Sequence, residues 1–425
     1  MGRLLVDATD LVSWSGTHGG VQRVVYAVTK ELFLSGRQAV YMAFDASENK
    51  FYVIDFQAIY DRIENTPKSP QAKEGPLARK TVAERIYTRM KRNRIAIAAA
   101  RPVKAVIKRY SPTTDTPPSR DWVAFAKEDD VLILGMAWEN LNIQRVLGEQ
   151  RKSIGFHLIQ LVYDLIICLY PQLHHPSNYL PYTTHIKGVI ADSDKLLAIS
   201  ESTKKDILKF AKQERLRVPQ VEVIRLGDEL LKKAKDHKRP AIAGLKKDFI
   251  LCVGTVEVRK NHTLLYYAYK LAAERGVKLP QLIIIGGSGW YSGDIQYLIA
   301  TDPATQNEIK IVHGVADDGL AWLYENCQFT IYPSMYEGWG LPIAESLAYG
   351  KLCLASSTSS MTEIAGKMID YFSPFDTQEC MEKISKYSND EAALKKIQER
   401  IRSNYKTTTW SGTAKQIYDA IRIMK

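Results

Sequence analysis

From Phe329 the chain reads Phe-Thr-Ile-Tyr-Pro-Ser-Met-Tyr-Glu-Gly-Trp-Gly-Leu-Pro-Ile-Ala-Glu, closing at Glu345. Phe329 to Tyr332 is an apolar strand, Pro333-Ser334 a turn and Gly338 to Gly340 a loop, with a helix starting near Pro342. A strand that passes through a glycine loop into a helix turns backbone N–H groups and the positive helix end toward whatever lies above the sheet. That suits anions, phosphates above all. Glu337 enters the loop and Glu345 lies about one turn into the helix. Two carboxylates would repel a bare anion. They fit a ligand that also carries hydroxyls, because an ionised carboxylate only accepts hydrogen bonds. A phosphate with hydroxyls on both sides describes a sugar nucleotide. The competing reading is an ordinary glycine turn, with a Glu that serves only the helix dipole.

The other elements must supply the rest of such a site. At 425 residues the chain is too long for one core, and two domains are expected. The second half alternates strand and helix at the spacing of a parallel sheet. Its strands are Asp248 to Val253, Gln281 to Ile285, Ile309 to Val312, Phe329 to Tyr332 and Lys351 to Ser356. Helices cover Leu264 to Glu274 and Asp318 to Tyr324. In the first half, strands are expected at Leu4 to Val6, Ala39 to Phe44, Phe51 to Asp55, Asp130 to Leu134, Phe156 to Val162, Gly188 to Asp192, Lys195 to Ser200 and Val221 to Leu226. Asp7 to Thr17 reads as a loop. Gly19 and Gly20 then open a helix with apolar residues Val21, Val24, Val25, Val28 and Leu32 on one face, a second strand–glycine–helix unit able to meet a phosphate. The expected organisation is a first domain over 1–230 with an insertion at 65–120, a linker at 231–247, a second domain over 248–405, and a last amphipathic helix at 406–425.

The net charge of +11 is unevenly spread. Between Arg79 and Arg109 there are eleven basic residues against one acid, Glu84. Three readings stand: a solvated charge run, a helix lying on an anionic membrane surface, or nucleic-acid binding, for which no recognition motif accompanies the charge. No apolar run is long enough to span a membrane. The start, Met1-Gly-Arg-Leu-Leu-Val-Asp, enters a strand directly and has no signal-peptide pattern, and Val6 stands where a myristoylation site needs Ser or Thr. Cys168, Cys252, Cys327, Cys353 and Cys380 show no paired spacing, which implies reduced, buried thiols in a cytoplasmic protein and no zinc site.

Several strings of the second half resemble retaining glycosyltransferases of family 4, which have the GT-B fold. They are Val253-Gly-Thr, Arg259-Lys260-Asn261, Ile285-Gly-Gly-Ser-Gly-Trp290, His313-Gly-Val, Glu337 to Glu345, Ser360-Met-Thr-Glu-Ile-Ala-Gly366 and Tyr371-Phe-Ser-Pro-Phe-Asp376. In the first half, Gly19-Gly-Val-Gln-Arg-Val-Val25, Tyr163-Asp-Leu-Ile166 and Leu197-Ala-Ile-Ser-Glu201 resemble bacterial mannosyltransferases that build polysaccharide and O-antigen. The resemblance implies an α/β GT-B architecture: two Rossmann-like domains facing a central cleft, with the C-terminal helix crossing back to the first.

Arg259 and Lys260 follow a strand and the Gly254-Thr255 turn, so they can reach the cleft and stabilise charge on a departing phosphate. The resemblance assigns them that diphosphate role, gives Glu337 the hydroxyls of the transferred sugar, and gives Glu345 the ribose. Gly19, Gly20, Gly254, Thr255, Gly338, Trp339, Gly340 and Leu341 would surround the donor. Val315 would meet the base through its backbone with Leu320 nearby; the bland alternative for both is core packing. Asp164 ends a strand and is read either as positioning the acceptor or as a turn cap. Tyr163 stands where relatives often carry His, and Tyr170-Pro171 where a His-Pro occurs; His18 is a possible substitute contact.

Two further strings are set aside. Asp192-Ser193-Asp194 copies the Asp-X-Asp of metal-dependent transferases but precedes an apolar strand, so it is read as structural and no metal or cofactor is expected. Gly286-Gly287-Ser-Gly289 lacks the third-glycine spacing and acidic ribose partner of a nicotinamide site. The expected reaction is transfer of mannose from GDP-mannose to a lipid-linked saccharide at the inner face of the cell membrane, with residues 79–109 on the lipid and no nucleic-acid partner. The alternatives are a UDP- or dTDP-sugar donor, or a non-catalytic partner of another transferase.

Overall fold

The computed structural model describes residues 2–14, 20–65, 120–229 and 237–422. The chain divides into two compact units, residues 1–74 with 122–425, and residues 75–121. The second unit lies almost wholly outside the described residues, as do the basic segment 79–109, Gly19 and His18.

The first sheet contains β1 (Leu4–Asp7), β2 (Ala39–Asp45), β3 (Lys50–Val53), β4 (Asp130–Ile133), β5 (His157–Val162), β6 (Lys195–Ala198) and β7 (Gln220–Val223) in the order β3-β2-β1-β4-β5-β6-β7. β3 runs antiparallel to β2, with Phe44 opposite Phe51, and the other neighbouring pairs are parallel. The second sheet contains β8 (Phe249–Val253), β9 (Gln281–Ile285), β10 (Ile309–Val312), β11 (Thr330–Tyr332), β12 (Cys353–Ser356) and β13 (Tyr371–Phe372), all parallel, in the order β10-β9-β8-β11-β12-β13. Strands such as Leu4–Asp7, Asp130–Ile133 and Cys353–Ser356 are buried along their whole length, because helices cover both faces.

This order places a topological switch at β1/β4 in one sheet and at β8/β11 in the other. There the connections from adjacent strands leave for opposite faces and open a crevice beyond the carboxyl ends. The loops carrying Asp164, Arg259, Lys260 and Glu337 all leave carboxyl ends.

The segment Gly188 to Asp192, expected as a strand, is instead the last part of the helix Tyr179–Asp192. Tyr182, Ile186, Val189 and Ile190 are buried at helical spacing, and the short run Gly-Val-Ile-Ala shows only its end. The expected loop Asp7 to Thr17 contains a single helical turn, Thr9–Val12. Asp192 and Asp194 are structural: Asp192 accepts from Gln144, and Asp194 accepts from the Leu158 N–H and pairs with Arg151. Burial pushes the thiols of Cys252, Cys327 and Cys353 up to about 12, so they stay un-ionised.

The last helix, Trp410–Arg422, packs on the helix Gly20–Leu34 of the first half. Trp410 Nε1 donates to Glu229 O at 2.9 Å, and Thr413 Oγ1 donates to Arg225 O at 2.9 Å. The wholly buried Lys195 reaches the Ala420 carbonyl at 2.7 Å, where a cation complements the helix C-terminus. Arg37 stacks 3.6 Å from the Tyr418 ring centre.

Candidate active site

The turn Val258–Lys260 carries the two cations. It is pinned by Asn261, whose left-handed φ of 57° ends the turn. The Asn261 side-chain amide donates to Pro333 O at 3.1 Å and Pro374 O at 2.8 Å. That anchors Arg259 and Lys260 over the β11 loop. Lys260 Nζ lies 2.6 Å from Glu337 Oε1, and Arg259 Nη1 lies 2.6 Å from Glu337 Oε2. Tyr332 OH donates to Glu337 Oε1 at 3.1 Å and accepts from Lys260 at 2.6 Å. Arg259 also bonds Tyr336 O at 3.0 Å and Glu257 at 2.8 Å.

The first half meets this group closely. A Cβ on Gly338 would lie 2.1 Å from Tyr163 O and 2.9 Å from Asp164 Cβ, so only glycine fits. Thr203 Oγ1 sits 3.1 Å from Tyr163 O and 3.3 Å from Gly338 O. Tyr336 OH donates to Asp206 at 2.8 Å. Glu363 accepts the Glu201 and Ser202 N–H groups at 2.8 and 2.7 Å, capping the helix Glu201–Glu214 from the other half. Arg23, in the first turn or so of the helix Gly20–Leu34, pairs with the buried Glu345 at 2.6 Å, and Tyr324 OH donates to the same carboxylate at 2.8 Å.

Residues 233–406 match the family described as Glycosyl transferases group 1. That stretch is similar to a glycosyl transferase domain. The serotype-specific mannosyltransferase WbdA of Escherichia coli is 26% identical over 270 residues, 62% of this chain and 33% of that protein. The O-antigen chain mannosyltransferase B of Escherichia coli is 24% identical over 267 residues, 62% of this chain and 69% of that protein. The chain thus spans about a third of the length of the WbdA relatives it matches. The solved structure of Anabaena Alr3699/HepE in complex with UDP and glucose aligns with a TM-score of 0.61 at 13% identity, over 99% of this chain and 100% of that one. The fold is GT-B.

Within residues 233–406, the field around Glu337 has one sense. Burial alone would raise its carboxyl, but Arg259 and Lys260 outweigh burial and hold it down at about 2. The Arg259 guanidinium, which burial opposes, is raised by Glu337 and Glu257. Burial pulls Lys260 down, Glu337 opposes that and Arg259 reinforces it. An anionic Glu337 therefore fixes both cations before any ligand arrives, the preorganisation that electrostatic stabilisation of a leaving group requires.

The expected residues divide as follows. Arg259, Lys260 and Glu337 come together directly, beneath the loop with Gly338 and Trp339, and Gly340 caps the helix Leu341–Ala348. Gly254 and Thr255 lead from β8 toward the cations, with the Lys260 stem 3.8 Å from where a Gly254 Cβ would be. Asp164 has the turn-capping character weighed from the sequence. Its Oδ1 caps the Ile166 N–H at 3.0 Å, and its carboxyl, pushed up by burial, is pulled back by Arg259. The side chains of Val315 and Leu320 belong to the apolar cluster around Leu323 and Tyr324. Gly20 starts its helix. Tyr163, standing where a His was looked for, directs its hydroxyl to Leu134 O at 2.7 Å.

Sequence reasoning missed Arg23, Tyr332, Asn261 as an anchor, and His174. Burial and then Arg259 pull the His174 imidazole down, so it is neutral at pH 7, and its buried Nε2 has no hydrogen-bond partner among the described residues. Arg23 sits inside the quoted Gly-Gly-Val-Gln-Arg string, three residues past Gly20, which puts it in reach of the glycine end of its helix.

Proposed function

We propose that this protein is a retaining glycosyltransferase that moves mannose from GDP-mannose onto a lipid-linked saccharide in the assembly of a cell-surface polysaccharide. The observation that carries this reading is the Glu337 carboxylate clamped by Arg259 and Lys260 where the carboxyl ends of both sheets meet. The names of the Escherichia coli relatives support mannose as the sugar.

In this reading Arg259 and Lys260 receive the donor diphosphate and stabilise the charge left on it as the sugar–phosphate bond breaks. Glu337 accepts hydrogen bonds from hydroxyls of the departing sugar, and Glu345 from the ribose. Gly19, Gly20, Gly340 and Leu341 offer N–H groups to the phosphates, and the Val315 backbone meets the base beside Leu320. Asp164 positions the acceptor hydroxyl. That hydroxyl attacks the face the phosphate leaves, and its proton passes to the leaving phosphate, so no covalent sugar–protein intermediate forms. Neither metal nor cofactor takes part, and turnover should survive EDTA. No helix of the described residues is long and apolar enough to cross a membrane. The basic segment 79–109 holds the protein at the inner membrane face. Stronger sedimentation with anionic than with neutral liposomes is the expected result, and equal sedimentation removes that role.

The deciding experiment supplies radiolabelled GDP-mannose and a membrane extract and follows GDP release with sugar incorporation. Lys260→Ala and Glu337→Ala should each lower kcat by about 10²–10³. Unchanged turnover in both would show that the site lies elsewhere, and release only from UDP- or dTDP-sugars would replace the donor.

A further inference from the structure

Beside the charged cluster, the loops after β5 and β9 bring three rings together. The His175 ring centre lies 5.5 Å from Trp290 and 6.5 Å from Tyr291, the latter with planes 9° apart. Trp290 is 45% exposed and Tyr291 56%, unusual for side chains of that size held in a fixed loop. The loop is fixed by its backbone. Val256 N–H donates to Gly287 O and Gly289 N–H to Val256 O, both at 2.8 Å, and Val258 N–H reaches Trp290 O at 3.2 Å. A Cβ on Gly289 would lie 2.7 Å from Thr255 Cγ2, so the loop lies flat on the segment that leads into Arg259. Tyr291 is held at φ 55°, a conformation a bulky residue adopts only under constraint. On the other wall, His175 follows His174 directly and its Nδ1 lies 2.7 Å from Ser177 Oγ.

We propose that His175, Trp290 and Tyr291 form a subsite for one pyranose ring of the acceptor saccharide, beside the transfer centre. The proposal rests on the glycosyltransferase reading above. A pyranose presents an apolar C–H face and a rim of hydroxyls. It therefore needs exposed ring faces bordered by polar groups. The Ser177 hydroxyl meets the His175 ring at 2.7 Å, and Ser288, two residues before Trp290, is bonded to Gln296 at 3.2 Å. A lipid tail needs a wide continuous apolar surface, which the polar border interrupts. Trp290 is bonded through its carbonyl to the residue preceding Arg259, so a sugar on the rings lies next to the group that meets the leaving phosphate.

The test uses saturation-transfer NMR with methyl α-D-mannopyranoside and mannobiose, alongside thermal shift with GDP. Wild type should saturate the pyranose C–H protons. Trp290→Ala with Tyr291→Ala should weaken saccharide binding about tenfold while the GDP-induced shift stays as in wild type. Trp290→Phe should recover most of the signal, separating ring stacking from misfolding. Equal saturation in the double variant, or none in wild type at millimolar saccharide, overturns the proposal. Loss of the GDP shift in the double variant also overturns it, making the rings a shelf for the nucleobase. A missing GDP shift in wild type would instead count against the donor reading, leaving the saccharide result to be judged by itself.

Discussion

Glu337 sets the character of the site because one carboxylate pairs with two cations that burial would otherwise make costly. Its depressed pKa has a consequence for stability. The unfolded carboxyl titrates at 4.5 and the folded one at about 2, so the folded state binds fewer protons in between. The contribution of Glu337 is fully present above 4.5 and is lost as pH falls toward 2. Glu337→Gln should cost about 3 kcal/mol or more at neutral pH, since it leaves buried charges unpaired. In urea titrations the gap to wild type should narrow as pH falls below about 4.5. A gap that is constant down to pH 3 would contradict the ion-pair account. At Gly338 the limit is contact rather than charge. Gly338→Ala forces a methyl group to within 2.1 Å of Tyr163 O. It should cost about 1–3 kcal/mol and lower kcat/KM more than the stability loss explains; wild-type kinetics would show that the two loops do not need this approach.

Among elements, the C-terminal helix Trp410–Arg422 departs most from the order of the sequence, since it closes the chain by packing on the first sheet's side. Trp410 is 3% exposed and packs on Gly227, where a Cβ would be 2.6 Å from its ring. Trp410→Ala should therefore lower stability by about 3–5 kcal/mol in urea denaturation. A loss under 1 kcal/mol would mean that the helix is not anchored there. Element type was legible where the pattern was long, as in the helix Gly20–Leu34 with its apolar face, and in the buried strands of the second half. It was not legible at Gly188 to Asp192. Five residues carry too little periodicity to separate a helix end from a buried strand.

For the whole molecule, a few contacts far apart in sequence tie the two sheets: Arg23 with Glu345, Glu363 with the Glu201 helix, and Tyr336 with Asp206. Arg23→Ala should destabilise the fold by about 3 kcal/mol, because Glu345 is left buried without its cation. GDP-mannose at about 100 times its dissociation constant should add back about 2.7 kcal/mol. A variant as stable as wild type would show that the pair does not join the halves, and a donor that gives no shift would remove GDP-mannose as the ligand.

The chain alone determined the α/β class, the glycine loops at helix starts and the residue types of the site, because these depend on local spacing and composition. Arg259-Lys260 and Glu337 could be read as members of one site. The tertiary structure decided who meets whom. It set one carboxylate between two cations, gave Arg23 to Glu345, brought His175 to Trp290, and excluded any side chain at Gly338. Each depends on segments tens to hundreds of residues apart being packed to within van der Waals distance. No local pattern encodes that, since contacts of this range are set by how two sheets and their loops fit together.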